Sequence, residues 1–381
     1  MTRLLDLRPV YVVGIGLHPY QRVSDKSYVD LGLTAVREAL ADAGIQWPAV
    51  QSAYVGTVFI GMAAGPAMLR YLGATGLSIA QVENASATGS TAFRQAVIEV
   101  AAGFSDVALA MGVDKPSPIS TGPAKAGVRG LVDDRVVPFT HFALLTQLYM
   151  EEHGATPEQI ARVAVKNHRN GALNPYAQRQ QVRTLEEVME PPAMSGVLTR
   201  LQCTPIGEGA AAVIVMSEAG MKLHGIDASR AIRVIASAAR SEELSGTLNY
   251  DVALTQKTTQ DAYAQCGIRP SDVDVVELHD AFTIEELLYA EAMGFCAPGH
   301  AVRELEAGAF DIGGRVAISP SGGLIAMGHP TGPTGVGQIA EVTRQLRHEA
   351  GPRQQPGARI GLAHMVGVGP VCLVHILQRP G

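Results

Sequence analysis

A helix end, a glycine and an apolar strand occur in the same order at two distant places in the chain, and this repetition limits the fold more than any other feature. Residues 39–50 read Ala-Leu-Ala-Asp-Ala-Gly-Ile followed by Gln-Trp-Pro-Ala-Val; residues 262–273 read Ala-Tyr-Ala-Gln-Cys-Gly-Ile followed by Arg-Pro-Ser-Asp-Val. Gly44 and Gly267 stand where a helix needs a left-handed cap. Strand-like segments follow, Ser52 to Val58 and Val273 to Leu278. A second echo sets Gly89-Ser90-Thr91-Ala92-Phe93-Arg94-Gln95 against Gly332-Pro333-Thr334-Gly335-Val336-Gly337-Gln338, and this alignment puts Ser86 opposite His329. Because helix, cap and strand recur together, the spacing predicts two similar halves.

Four apolar runs, Val10 to Ile15, Val107 to Met111, Ala212 to Met216 and Arg359 to Ala363, have the pattern of strands buried on both faces. Their alternation with helical segments argues for an α/β fold. Between the halves, a Pro/Gly/Ser-rich stretch (Lys115 to Gly130), an amphipathic helix around Pro157 to Asn167 and polar loops read as an inserted loop or lid domain. The expected organisation is a first half over residues 1–115, a loop domain with the end of the first half over 116–230, and a second half over 231–381.

The 381 residues are 47% apolar and 17% charged, enough for a large core. A net charge of -6 provides no electrostatic footprint for nucleic acid or an anionic membrane, so a small-molecule substrate is expected. The apolar runs are shorter than a membrane span and no signal-peptide core follows Met1, so a cytoplasmic location is expected. Cys203, Cys266, Cys296 and Cys372 lie far apart without a CxxC pair; they are expected to be buried thiols, with neither a disulfide framework nor a metal site. Gly14-Ile15-Gly16 lacks the third glycine of a dinucleotide fingerprint and is followed by Pro19 where a helix should start.

Five segments carry a resemblance. They are Val82-Glu83-Asn84-Ala85-Ser86-Ala87-Thr88-Gly89-Ser90; Val163-Ala164-Val165-Lys166-Asn167-His168 with Asn174-Pro175-Tyr176-Ala177-Gln178; Val276-Glu277-Leu278-His279-Asp280-Ala281-Phe282-Thr283; Ser319-Pro320-Ser321-Gly322-Gly323-Leu324 through Gly328-His329-Pro330; and His364-Met365-Val366-Gly367-Val368-Gly369. As an ordered set covering nearly the whole chain, they resemble the thiolase superfamily, specifically its sterol carrier protein x branch. The resemblance implies two half-folds packed in five αβαβα layers, a loop domain, and catalytic loops meeting at the centre.

It also implies roles. Ser86 stands where thiolases carry their reactive cysteine. His329 would be the base that activates that group, His279 would position a water or donate to an oxyanion hole, and His364, where many thiolases have a second cysteine, would serve as general acid/base. Ala281 departs from the cysteine often found there in this branch, so a proton shuttle would rest on His364 or His279. From the residues alone, a loop histidine paired with Asp280 is the less favoured alternative for His279. Ser321, Gly322 and Gly323 would lie along the pantetheine arm of coenzyme A, the co-substrate; read locally, they form a tight turn.

A serine hydroxyl needs a strong adjacent base, whereas cysteine is already partly thiolate at neutral pH. Two readings of Ser86 are open: a replacement of the nucleophile in an otherwise intact thiolase, which the retained histidine loops favour, or the native residue of a thiolase-like aldolase that cleaves a β-hydroxyacyl-CoA without an acyl-enzyme. A non-catalytic lipid or acyl-CoA binding subunit is a third, against which His279, His329 and His364 speak. The activity implied is acyl-CoA thiolysis or the reverse Claisen condensation, as in lipid β-oxidation. The partners implied are a second copy in a homodimer and, for relatives with the His279-Asp280-Ala281-Phe282 form, a small zinc-ribbon/OB-fold subunit.

Overall fold

The computed structural model describes residues 3–116, 138–243, 250–367 and 370–381. Most of the Lys115 to Gly130 stretch and the Val368-Gly369 end of the last motif lie outside the described residues.

Twelve strands are described: β1 Val10–Gln21, β2 Ser52–Gly56, β3 Ser78–Val82, β4 Val107–Asp114, β5 Ala193–Ser195, β6 Leu198–Thr199, β7 Glu208–Ser217, β8 Ile232–Ser241, β9 Val275–Glu277, β10 Ala317–Ile318, β11 Ile360–Gly367 and β12 Val371–Gln378. The α-helices are α1 Tyr28–Ala43, α2 Ala64–Leu69, α3 Thr88–Ala102, α4 Pro138–His153, α5 Pro157–Ala172, α6 Leu185–Met189, α7 Glu218–His224, α8 Tyr250–Cys266, α9 Thr283–Ala292, α10 Ala301–Glu306, α11 Gly323–Ala326 and α12 Thr334–Arg347.

The duplication is visible in the sheet. Its strand order is β10-β9-β11-β12-β8-β1-β7-β4-β2-β3. Read outward from the middle, each half places its first strand innermost (β1, β8), then an antiparallel last strand (β7, β12), then β4 or β11, β2 or β9, and β3 or β10 at the edge. The three outer strands of each half are mutually parallel. The halves join through a short antiparallel pairing, Val10↔Val234 to Val12↔Ile232.

Both predicted caps are left-handed, Gly44 at φ 69° and Gly267 at φ 72°, and each leads through a single 3-10 turn (Trp47–Ala49, Pro270–Asp272) into its strand. Helix α1 covers the outer face of the first half, where Leu31, Val36, Ala39 and Leu40 pack on Val13, Leu109 and Ile214. Gly14 and Gly16 are part of this contact: a side chain at either would collide with α1, so these glycines serve helix–strand packing. Helix α8 covers β8 and β12 of the second half.

Helices α3 and α12, the repeated pair, pack on each other between the halves, against β4 and β7 on one side and β11 on the other. Small residues allow the approach, since a Cβ on Gly89 would sit 2.6 Å from the Gly332 carbonyl and one on Gly335 would collide with the Ser90 amide. Layer by layer the order is α, β, α, β, α. The inserted helix α5 runs further than its sequence pattern suggested, to Ala172.

Candidate active site

The central helices bring the two ends of the duplication together. Ser86 lies just before α3 and His329 before α12, and the Ser86 Oγ is 3.0 Å from His329 Nε2. The helix starts are offset relative to the repeat. Pro330 and Pro333 keep the turn Thr331–Pro333 outside α12, which leaves His329 on an irregular loop rather than in the helix.

The hydrogen bonds determine which ring nitrogen is bare. The Thr334 hydroxyl is 2.6 Å from the Pro330 carbonyl and 2.9 Å from His329 Nδ1. Its single proton goes to the carbonyl, so it accepts from Nδ1–H, and Nε2 is left to accept from the Ser86 hydroxyl. Burial, reinforced by the nearby His279, holds His329 well below the usual histidine range. At neutral pH the imidazole is therefore neutral and poised to take a proton from residue 86. Ser86 also sits at the positive end of a fifteen-residue helix, which favours a developing oxyanion there.

The loop before Ser86 is held locally. Asn84 N–H donates to Thr88 Oγ1 at 2.7 Å, Asn84 Nδ2 to Thr91 Oγ1 at 3.1 Å, and Ala85 N–H to Glu83 at 2.7 Å. Ala85 is left-handed, φ 48°, a conformation that costs a side-chain-bearing residue about 1 kcal/mol. On the other side, the buried Asp114 at the end of β4 accepts from Thr57 Oγ1, from Val58 and Phe59 amides and from Gly332 N–H at 2.6 Å, which ties the His329 loop to the first half. Burial outweighs these donors and pushes its carboxyl up to about 6.

His279 lies just past β9, as expected, but its partner is not Asp280. Its Nδ1 faces Glu285 Oε1 at 2.7 Å, and that carboxylate also accepts from Phe282 N–H at 2.8 Å and the Tyr289 hydroxyl at 3.2 Å. Asp280 turns away, accepting from Asn167 Nδ2 at 2.6 Å and Leu324 N–H at 2.7 Å. With Nδ1 committed, His279 Nε2 has no hydrogen-bond partner among the described residues, and its ring meets that of His329 edge-on with centroids 5.3 Å apart. With Glu285 holding the Nδ1 proton, the ring presents an Nε2 proton to a substrate oxygen only as the imidazolium, whose charge that carboxylate would balance. Two histidines in contact thus have different surroundings, one suited to donation and the other to proton abstraction.

His364 is inside β11 rather than after it. Its Nδ1 receives the His279 backbone N–H at 3.4 Å and its Nε2 meets Thr255 Oγ1 at 3.0 Å, with the ring against Tyr289. It is fully buried, and burial lowers its pKa well below the ordinary value. Both nitrogens are engaged, so in this geometry His364 braces the His279 loop.

Ser321 N–H and Oγ donate to Glu277 at 2.9 and 2.6 Å, while Gly322 (φ 106°) and Gly323 (φ 59°) make a turn that opens α11. A side chain on Gly323 would collide with the Asp280 carboxylate. All four cysteines are free; Cys203 and Cys372 are buried, but Cys266 and Cys296 are only half-buried, a departure from expectation. Burial pushes Cys203, Cys296 and Cys372 up to about 12.

A model of the thiolase N-terminal domain matches residues 10–219, and one of a thiolase C-terminal domain-like family matches residues 236–379. The chain belongs to the thiolase family. It is 37% identical over 398 residues to sterol carrier protein 2 of Homo sapiens, with 98% of this chain and 72% of that protein covered. To the benzoylsuccinyl-CoA thiolase subunit BbsB of Thauera aromatica it is 38% identical over 371 residues, covering 95% of each. Among solved structures it resembles the Ltp2-ChsH2(DUF35) aldolase (TM-score 0.83, 25% identity, 97% and 98% covered). It shares the fold of human mitochondrial 3-ketoacyl-CoA thiolase (TM-score 0.75, 19% identity, 98% and 99% covered). Among the described residues of this chain no helix is long and apolar enough to cross a membrane.

Three residues of the site have no role in the sequence motifs: Thr334, Glu285 and Asp114. Glu285, in the first turn of the helix after His279, had a local signal in its spacing. Asp114 had none, because its acceptors are filled by Thr57, Phe59 and Gly332, which are distant in the chain.

Proposed function

We propose that this chain makes or breaks the carbon–carbon bond beside a coenzyme A thioester, as an acyltransferase in which Ser86 occupies the acyl-acceptor seat. The observation that carries the reading is the Ser86 hydroxyl 3.0 Å from the bare Nε2 of a neutral His329. In the cleavage direction His329 takes the Ser86 proton and Oγ adds to the 3-oxo carbon. The Cα–Cβ bond breaks, its electrons form the thioester enolate, and the proton on His329 returns to the enolate carbon. CoA thiol then attacks the seryl ester and releases Ser86. His279, backed by Glu285, would donate to the thioester oxygen, with His364 holding its backbone in place.

The hydroxyl itself favours a second reading. Retro-aldol cleavage of a 3-hydroxyacyl-CoA needs a base for the 3-hydroxyl proton and a donor for the enolate, and no acyl acceptor. His329 and His279 fill those roles, and the likeness to an aldolase structure supports the reading.

The Phe139 and Phe142 rings on α4 contact Phe282, next to His279, at 5.1 and 4.8 Å. They would form an apolar wall for the acyl or pantetheine chain, with Ser321, Gly322 and Gly323 on the opposite side. A cytoplasmic homodimer assisted by a small zinc-ribbon/OB-fold subunit completes the proposal. The names of two relatives, one a subunit and one a two-component complex, support that partnership.

The deciding experiment is CoA-dependent cleavage of 3-oxoacyl-CoA esters, and aldol cleavage of 3-hydroxyacyl-CoA esters, by the parent chain and S86C, each with and without the small subunit. Thiolysis raised by S86C by about 100-fold or more, consistent with thiolate nucleophilicity, supports acyl transfer. Aldehyde or ketone release by the parent, weakened in S86C, supports the aldolase. Loss of neither activity in His329→Asn would overturn both.

A further inference from the structure

Beside Thr334, the partner of His329 Nδ1, lies a small cavity with room for about one water molecule. Tyr20 of β1, Glu277 of β9, Ser321, Met327, and Thr334 and Gln338 of α12 line it. Thr334 is the residue that accepts from His329 Nδ1. Gln338 lies four residues further along α12 and so shares its face. It is 4% exposed, and both its amide oxygen and nitrogen meet no partner among the described residues. Buried amides are nearly always paired, so an unpaired one lining a cavity of this size points to a bound molecule the size of water.

Glu277 is the acidic group in the lining. Its carboxyl is fully enclosed, and burial together with the charge of Glu341 pushes it up to about 8. The groups that face it are Ser321, whose N–H and hydroxyl donate to its two oxygens at 2.9 and 2.6 Å; Tyr20 from β1, whose hydroxyl donates to the Pro333 carbonyl at 3.1 Å; Glu341 from α12, paired with Arg353 at 2.8 Å; Arg353 itself; and Asp280 in the following loop. The Glu341–Arg353 pair is internally neutralised, and Asp280, also raised by burial, is turned toward Asn167 and Leu324, so Glu277 is the cavity-lining carboxyl whose charge can change near neutral pH.

We propose that Gln338 holds one internal water that bridges the Thr334 hydroxyl to the Glu277 carboxyl, and that Glu277 acts through this bridge as a positioning residue for His329. The inference rests on the reading of His329 as the base. With Glu277 neutral, its O–H and the Gln338 amide donate to the water, which donates to the second lone pair of Thr334 and holds that oxygen toward Nδ1. Once Glu277 is ionised, the water turns to donate to the carboxylate, the hold on Thr334 loosens, and the negative charge makes His329 more basic.

The test needs no turnover, so its outcome is independent of whether the enzyme is a thiolase or an aldolase. Histidine ring nitrogens are followed by 15N NMR in the full-length chain between pH 6 and 10, with His329 assigned by its loss in His329→Asn. The expected result is a step in the His329 shifts near pH 8 that disappears in Glu277→Gln. Gln338→Met fills the cavity without changing side-chain length and should reduce the step at least threefold; it decides the matter if Glu277→Gln does not fold. No step in the parent, or an equal step in Gln338→Met, overturns the proposal. So does a crystal structure with the cavity dry.

Discussion

Replacing Thr334 by valine tests the tautomer assignment on which the chemistry depends. The change keeps shape and removes two hydrogen bonds, the one accepted from His329 Nδ1 at 2.9 Å and the one donated to Pro330 O at 2.6 Å. Stranding the Nδ1–H in a buried site costs about 1–3 kcal/mol. The ring can escape that cost by moving its proton to Nε2, and Nε2–H would then face Ser86 and could not accept its proton. The tautomer shift withdraws the base, and a stranded Nδ1–H leaves the ring without the acceptor that orients it and stabilises the imidazolium. At about 1.4 kcal/mol per decade, kcat should fall roughly 10- to 100-fold while KM stays within about twofold, because Thr334 does not touch substrate. The assay is steady-state turnover in whichever reaction the S86C comparison identifies, alongside 15N NMR of the His329 ring. A Thr334→Val protein that keeps the Nδ1–H tautomer and turns over within twofold of the parent would refute the reasoning.

Two further outcomes follow from the same geometry. Asp114 titrates near 6 when folded against 3.8 for the free side chain. Its folded pKa is raised, so the folded state binds more protons between those values, and its contribution to stability is full below about pH 4 and lost as pH rises through 6. Asp114→Asn should therefore flatten the fall in stability across that window, read by urea unfolding at a series of pH values; an unchanged slope counts against the assignment. Its amide must also face N–H donors, which lowers stability at every pH by about 1–3 kcal/mol. At Ala85, φ 48°, glycine relieves the left-handed strain, so Ala85→Gly should raise unfolding free energy by about 0.5–1 kcal/mol. A loss of that size would mean the loop is not strained.

Much of the fold could be read from local patterns. The glycine caps, the strands around Val10, Val107, Ala212 and Arg359, and the helix after Thr156 depend on hydrophobic period and backbone conformation, which neighbouring residues determine. Even the Ser86–His329 contact followed from the repeat, since duplicated halves placed about a pseudo-axis bring equivalent positions together. The partner of His279 did not follow. Asp280 is adjacent in the chain, but the backbone past β9 directs it toward Asn167 and Leu324, and Glu285 on α9 reaches the ring instead. His364 changed role for a similar reason. β11 extends to Gly367, so strand alternation puts the ring on the face with Leu362 and Val366, toward Thr255 and Tyr289, and behind His279.

The amino-acid order of this chain carries its family, its two-fold internal plan and the identity of the groups at residues 86, 279 and 329, because motifs and periodicity are properties of neighbours. Charge and proton placement belong to the folded molecule. His329 is neutral with its proton on Nδ1 because burial removes water from the ring and Thr334 offers a single acceptor. Asp114 and Glu277 titrate far from the ordinary carboxylate range because strands from distant parts of the chain enclose them. Desolvation depends on everything that surrounds a group, and for these residues the surroundings are assembled from both halves.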